Sequence, residues 1–380
     1  MSASPPSGGD PPSFPPVDPA LVPRWDAPRG APIEAHEERP TLEPEAPVPP
    51  RWGVHAVLFV LTVLSVFLTG LAHAGAYGAP ALAGGTRELL FGLWRGWQFA
   101  VPLLAILVSH ELGHFVAAKI HRVPASLPYF IPLPFLSPFG TAGAIIAMRG
   151  RIRSRDALLD IGAAGPIAGM VVALPVLWVG LSLSPVEPLG GGVYVQEGQS
   201  LLYWALKRAT VGPIPAGHDV MLHPTALAGW AGLLVTMINL VPWGQLDGGH
   251  VAYALFGTAQ DRYARWVRPA LLGLFAMNLV VLGVPVLQGR GTMTPSRVVE
   301  NSLFWLMWFA MLTLMQRVGG AAHPPTEPGE LSPVRRRVAI GCLVGFVALF
   351  MPTPMALRGL PELERWPAFP PVGASVRPAP

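Results

Sequence analysis

The chain has 380 residues, 51% of them hydrophobic and only 13% charged, with a formal net charge of +4. A balance this apolar excludes an ordinary soluble domain and indicates a polytopic membrane protein. The single cysteine, Cys342, excludes a disulfide framework and a thiolate-rich zinc site, so any metal must be held by His and carboxylate. The basic residues form no aromatic-interleaved patch on a polar domain, which argues against nucleic acid as a partner.

Residues 1–50 hold 15 of the 45 prolines, few large apolar residues and a mild acidic excess. Such a segment cannot bury a core and reads as a disordered tail. A first membrane span follows from about Trp52 to Leu71, and a second from about Trp94 to Ile120. Pro124–Gly150 is apolar but too rich in Pro and Gly for a plain helix. It reads as a re-entrant loop or short strands beside protein, where non-helical backbone is tolerated at membrane depth. A third span runs from about Ala157 to Leu183. Its Gly162, Gly165 and Gly169 have the small-residue spacing that lets helices approach closely. Residues 184–223 read as a polar, Gly-rich loop, too short for an inserted PDZ domain. A fourth span reaches from Pro224 to Val241 and breaks at Pro242. Beyond it lie a short segment, Val251–Phe256, and spans near Val267–Leu287, Leu303–Met315 and Val338–Phe350. The expected fold is a polytopic α-helical membrane protein of about six to seven transmembrane helices around a three-helix catalytic core, with the re-entrant loop near the active site. The expected organisation is a cytoplasmic tail over 1–50, a transmembrane domain over 51–358 with its core at about 95–260, and a Pro-rich tail over 359–380.

Lys and Arg set the expected orientation. Lys119, Arg122, Arg149, Arg151, Arg153 and Arg155 cluster with no Asp or Glu between them. That side is expected to be cytoplasmic, as are Arg262, Arg265 and Arg268 and later Arg335, Arg336 and Arg337. The loop 184–223 is expected outside. A bacterial inner membrane is the expected location, with the active site nearer the cytoplasmic face.

The chemistry is concentrated in His110-Glu111-Leu112-Gly113-His114, inside the second span. From Phe99 to Ala118 only Ser109, the two His and Glu111 interrupt the apolar run. Ionisable groups at that depth are costly and need partners. His110 and His114 are four residues apart, so they share a helical face and can bind one ion. Glu111 points into the adjacent sector, where it can take a proton from a water activated by the metal. A catalytic zinc wants a third protein ligand as well as water. Asp247, in Asn239-Leu240-Val241-Pro242-Trp243-Gly244-Gln245-Leu246-Asp247-Gly248-Gly249, is the strong candidate. Pro242 and the flanking glycines free the backbone to turn it toward the two His. Asp160 reads as a structural or interfacial carboxylate rather than a fourth ligand. His121 and His223 read as interfacial, and His250 as a possible support for the ligands.

The two motifs and their order resemble the site-2 proteases, the intramembrane zinc metalloproteases of the M50 type. Gly140–Arg149 (GTAGAIIAMR) and Asp160–Gly169 (DIGAAGPIAG) resemble the branch shared by bacteria, archaea and plastids. The resemblance covers roughly residues 95–260. It implies that His110, His114 and Asp247 bind one Zn2+ per chain and that Glu111 is the general base and later proton donor. It implies that Asn239 holds the substrate backbone near the metal. It also implies that the Gly140–Met148 segment, with Gly140, Thr141 and Gly143, pairs with the unwound substrate as an added strand, a mode in which main-chain hydrogen bonds supply affinity. The implied substrate is a single-span membrane protein, such as an anti-sigma factor or a membrane-tethered regulator, cut in regulated intramembrane proteolysis. Two other readings stand beside this one: a catalytically silent scaffold of the same fold, and a zinc transporter. The transporter would need several ligand clusters on different spans, and only one is visible.

Overall fold

The computed structural model describes residues 52–75, 94–148, 152, 154–189, 194–289, 293–319, 326 and 329–358. Both expected tails, 1–50 and the chain after 358, lie outside the described residues, as do Arg149, Arg151 and Arg153 of the expected cytoplasmic cluster.

Helices dominate. They are α1 (Trp52–Gly75), α2 (Trp97–Ile120), α3 (Arg155–Ser182), α4 (Leu201–Val211), α5 (Pro224–Asn239), α6 (Asp247–Phe256), α7 (Ala259–Ala264), α8 (Val267–Leu287), α9 (Pro295–Gly319) and α10 (Pro333–Leu349). Among the described residues, five helical stretches are long and apolar enough to cross a membrane: Trp52–His73, Trp97–Ile120, Arg155–Ser182, Ala259–Leu287 and Pro295–Arg317. Each is apolar around much of its circumference, as a helix facing both protein and lipid must be. The chain is a polytopic helical membrane protein in this sense.

At the centre, α2, α3 and α5 pack together. Phe99, Leu103, Ile106 and Leu107 of α2 meet Ala173, Leu177 and Leu181 of α3, and Trp230, Leu233, Leu234 and Met237 of α5, all buried. Small residues make the close approach possible. A Cβ on Gly229 would sit 2.7 Å from the Leu177 backbone, and one on Gly180 would overlap the Ala226 backbone. Apolar burial alone cannot drive helices together in lipid, so this interlocking carries much of the association.

The segment after α2 is a two-stranded antiparallel hairpin, β1 (Tyr129–Pro132) and β2 (Thr141–Ile145), with Phe130 opposite Ala144 and a bulge before Pro132. It lies along α1. His55 contacts the Pro128 carbonyl, the Ser65 hydroxyl donates to the Gly140 carbonyl, and His73 reaches the Pro138 carbonyl. Gly140 is required at its turn: φ is +76°, and a Cβ there would press on Ser65 and Thr69 of α1.

The expected loop 184–223 is a folded cap instead. It holds α4 and three strands, β3 (Val186–Pro188), β4 (Tyr194–Glu197) and β5 (His218–Val220), with β3 paired to β5. The signal that overrides its polar composition is a buried charge network. Lys207 donates to Glu197 at 2.9 Å and to Asp219 at 3.3 Å, and the Tyr203 hydroxyl donates to Glu197 at 2.8 Å. Burial works against the Lys207 ammonium, but the two carboxylates outweigh it and hold its pKa above the ordinary value. The Ser200 side chain caps α4 by accepting from the Tyr203 N–H.

Two further expectations shift. The expected Leu303–Met315 span lies within a 25-residue helix, α9, because the polar start of that helix has partners: Asn301 exchanges hydrogen bonds with the Leu357 backbone at 2.7 and 3.1 Å. The expected Val338–Phe350 span starts five residues earlier, at Pro333. After α10 the chain runs through a buried turn, in which Asn278 and the Trp305 indole both donate to the Pro352 carbonyl. It then forms β6 (Met355–Arg358), which pairs antiparallel with β4. Arg335 at the start of α10 binds Asp156 and Asp160 at the start of α3. The starts of the two helices are therefore tied, and the chain that follows α10 is tied through β6 to β4 in the cap that follows α3.

Overpacking a tight helix crossing costs about 1–3 kcal/mol. Gly180→Leu is expected to lower the thermal unfolding midpoint in detergent by several degrees. Gly273→Leu, at a position with open space around it, is expected to change little. Equal midpoints for the two variants would contradict the interlocked α3–α5 crossing.

Candidate metal centre

Two elements bring three ligand atoms to a common point. His110 and His114 project from the same face of α2, one turn apart. Asp247 opens α6, after the α5 helix has ended at Asn239 and the chain has turned through Pro242 and Gly244. A Cβ on Gly249 would lie 2.7 Å from the Trp243 carbonyl oxygen, so the Gly248-Gly249 pair lets α6 begin pressed against the turn that precedes it.

The distances test whether a zinc ion fits. Nε2 of His110 is 3.2 Å from the Asp247 carboxylate oxygen, Nε2 of His114 is 3.3 Å from the same oxygen, and the two Nε2 atoms are 3.1 Å apart. A tetrahedral ion with bonds of about 2.0–2.1 Å spaces its ligand atoms about 3.3 Å apart. The three atoms thus form one face of such a tetrahedron, leaving its fourth corner for water or substrate. Two imidazoles and a carboxylate are also a donor set that zinc accepts in catalytic sites. Among the described residues, this is the one His/Cys/Asp/Glu group placed to hold a metal ion.

The supports are equally specific. His114 Nδ1 donates to the Ile161 carbonyl of α3 at 2.7 Å. That bond fixes the tautomer and leaves the Nε2 lone pair for a metal. The α3 glycines, read from sequence as positions that let helices approach closely, do so here by making room for side chains of the facing helices. A Cβ on Gly165 would fall within the His114 ring, and one on Gly169 would lie 3.2 Å from His110 Nδ1. Gly162 accommodates His250 in the same way, at 2.7 Å from its Cβ. The stripe seats three imidazoles. Its spacing was visible in the sequence, but what it faced was not.

Glu111 is buried, 8% exposed, and follows His110 directly, about 100° further around the helix. The Asn239 side-chain amide lies 3.2 Å from His110 Nε2, beside the ligand group. Thr141 is occupied within the hairpin: its hydroxyl donates to the Ile131 carbonyl and accepts from the Gly143 N–H. Gly140 is packed on α1, whereas Gly143 faces open space. β2 touches α2, the helix that carries the two His. Asp160 stands apart from the ligands and pairs with His121 and Arg335. His223 caps α5 by accepting from the Thr225 N–H.

Residues 98–282, just under half of the chain, match the model of peptidase family M50. The curated proteins the chain resembles include plant proteins. The "Probable zinc metalloprotease EGY2, chloroplastic" of Oryza sativa subsp. indica is 30% identical over 253 residues, 65% of this chain and 44% of the relative. The Arabidopsis thaliana protein of the same name is 28% identical over 339 residues, 86% of this chain and 54% of the relative. The "Probable zinc metalloprotease EGY1, chloroplastic" of Arabidopsis thaliana is 39% identical over 197 residues, 50% of this chain and 33% of the relative. The chain thus spans between a third and just over half the length of these relatives. No solved structure matches it. The relatives' names place them in chloroplasts, and nothing found here supports the bacterial inner membrane expected from sequence.

Because Gly165 is the seat of His114, Gly165→Ala is expected to displace the ring and to lower the zinc bound per chain after dialysis to well below that of the parent, measured by atomic absorption. Gly53→Ala, in open space on α1, is expected to bind as the parent does. Full zinc binding by Gly165→Ala would contradict the seating.

Proposed function

We propose that the chain is a zinc metalloendopeptidase of the site-2 type, hydrolysing a peptide bond within or next to a transmembrane segment of a membrane protein. The observation that carries this reading is the convergence of His110, His114 and Asp247 from two distant stretches of chain, within an apolar helix pack and beside the buried Glu111. One zinc per chain is the stoichiometry this single group supports.

The chemistry a bound zinc would supply is polarisation of the scissile carbonyl and activation of a water near neutral pH. The chain's own residues do the rest. Glu111 accepts the proton of the attacking water and delivers it to the departing amine. Asn239, beside His110, hydrogen-bonds the substrate backbone and holds the scissile unit near the ligands. The substrate helix has to unwind, because a helical carbonyl is already bonded within the helix. The hairpin offers an edge to receive it: an extended segment gains main-chain hydrogen bonds along a strand, and the open side of β2 at Gly143 leaves room for one.

The reading includes seven crossings. α5, at 16 residues, and α10, at 17, add to the five long stretches. The α10 ends meet the same structures as the α3 ends, which argues that both helices cross together. Lys119, Arg122, Arg155 and Arg335 then mark the cytoplasmic side, and the Lys207 cap lies opposite. The metal ligands sit in the cytoplasmic half of α2, so water reaches them from that side. The substrate is a single-span membrane protein, such as an anti-sigma factor or another membrane-tethered regulator, and its release is a step of regulated intramembrane proteolysis.

Glu111→Gln preserves size and removes the proton acceptor. It is expected to bind zinc at the parent level while cleavage of a reconstituted single-span substrate falls by at least about 100-fold, the range typical of general acid–base loss. Cleavage at the parent rate would remove Glu111 from the mechanism, and loss of zinc together with activity would assign it a ligand's role instead.

A further inference from the structure

The metal ligand His114 is oriented by a backbone carbonyl, that of Ile161. The preceding residue, Asp160, is held from two directions. Arg335 of α10 grips its carboxylate with two nitrogens, Nε at 2.8 and 3.0 Å and Nη2 at 2.7 Å, and His121 Nε2 meets the same carboxylate at 2.8 Å. Arg335 also donates from Nη1 to Asp156 at 3.0 Å, and Asp156 in turn accepts from the Ser332 N–H at the start of α10.

His121 closes α2 two helical turns after His114 and on the same face. Asp160 therefore ties the end of the helix that supplies two ligands to the helix turn that supplies the orienting carbonyl. Arg335 ties both to α10. Below this clamp, Ala339 of α10 is fully buried among Leu158, Leu159 and Ala163 of α3 and Val251 and Ala254 of α6, the helix that Asp247 opens. So α10 touches the two site elements that α2 does not itself contain. Yet it lies wholly outside the segment, 98–282, that matches the family.

We infer that Arg335, acting through Asp160, is a positioning residue for His114: the planar guanidinium fixes Asp160 and His121 and so sets where the Ile161 carbonyl meets Nδ1. Supports of this kind orient a metal-binding imidazole, and losing one commonly weakens metal binding 10- to 100-fold. The side chains of Arg335, Asp156 and Asp160 are about one-third exposed, at 35%, 30% and 29%. Pairs so exposed add little to global stability, so the clamp's effect falls on local geometry. The two-pronged grip needs a guanidinium, since the ammonium of lysine offers no planar fork.

This inference rests on the zinc reading of the site, and the experiment separates the two. Zinc affinity is measured by chelator competition on full-length protein in detergent, together with the visible absorption of the Co2+-loaded protein and the unfolding midpoint of the metal-free protein. Arg335→Gln and Asp160→Asn are each expected to weaken zinc binding 10- to 100-fold and to alter the Co2+ spectrum, with the metal-free midpoint little changed. Arg335→Lys is expected to fall between Arg335→Gln and the parent. Lys207→Met, which breaks the remote buried network, is expected to do the opposite: a lower midpoint with parental zinc affinity and Co2+ spectrum. Parental affinity and spectrum in Arg335→Gln and Asp160→Asn would overturn the positioning role. So would weaker binding that merely follows a fallen midpoint while the Co2+ spectrum stays parental. A folded parent that binds no zinc would overturn the metal site itself, and this inference with it.

Discussion

The constraint on which the rest of the structure depends is the absence of side chains along one face of α3. Gly162, Gly165 and Gly169 give their space to His250, His114 and His110. Only then can α2 and α3 lie close enough for the Ile161 carbonyl to reach His114 at 2.7 Å. Ligand side chains on a helix surface would ordinarily hold a neighbouring helix away. Here the neighbour's missing Cβ atoms turn the imidazoles into packing elements. Polar groups deep in an apolar bundle are costly unless paired, and the pairing is supplied by a carbonyl, a carboxylate and the space for one ion.

That arrangement also explains why Asp247 comes from so far along the chain. α5 packs against both α2 and α3, with Trp230, Leu233, Leu234 and Met237 buried in the common core. It stops at Asn239, and the Pro242 and Gly244 turn sends α6 away in a new direction with Asp247 at its first position. A continuous helix would have carried residue 247 about 12 Å beyond Asn239 along the α5 axis. The break returns it to the imidazoles. At the remote end, the Lys207 network and the β4–β6 pairing fasten the cap and the last helix.

Much of this was legible in the sequence. The His110–His114 spacing, its apolar setting and the Asp247 break were sufficient to single out the three residues that the fold brings together, because each rests on local periodicity or on a local helix breaker. The same reasoning marks Pro124–Gly150 as a re-entrant loop or short strands, and the strands β1 and β2 lie within that stretch. What escaped were features set by tertiary partners. The α3 glycines have the pattern of a helix-packing stripe, and nothing local says that rings rather than backbone fill the space. Residues 184–223 looked like a loop because their charges, Glu197, Lys207 and Asp219, read as solvated until folding brings them together. The start of α9 looked too polar for a span because Asn301 finds its partner at Leu357, 56 residues away. Arg335 looked like one of three basic residues marking a membrane face, and only the fold turns it toward Asp160.

The central claim, a single metal site assembled from α2 and α6, is tested most directly by counting zinc. The purified full-length protein is expected to hold about one zinc per chain, and His110→Ala and Asp247→Ala, each removing a ligand from a different part of the chain, are both expected to lose it while remaining folded. A well-folded parent without zinc after zinc is added back, or an Asp247→Ala protein that keeps its zinc, would contradict the account.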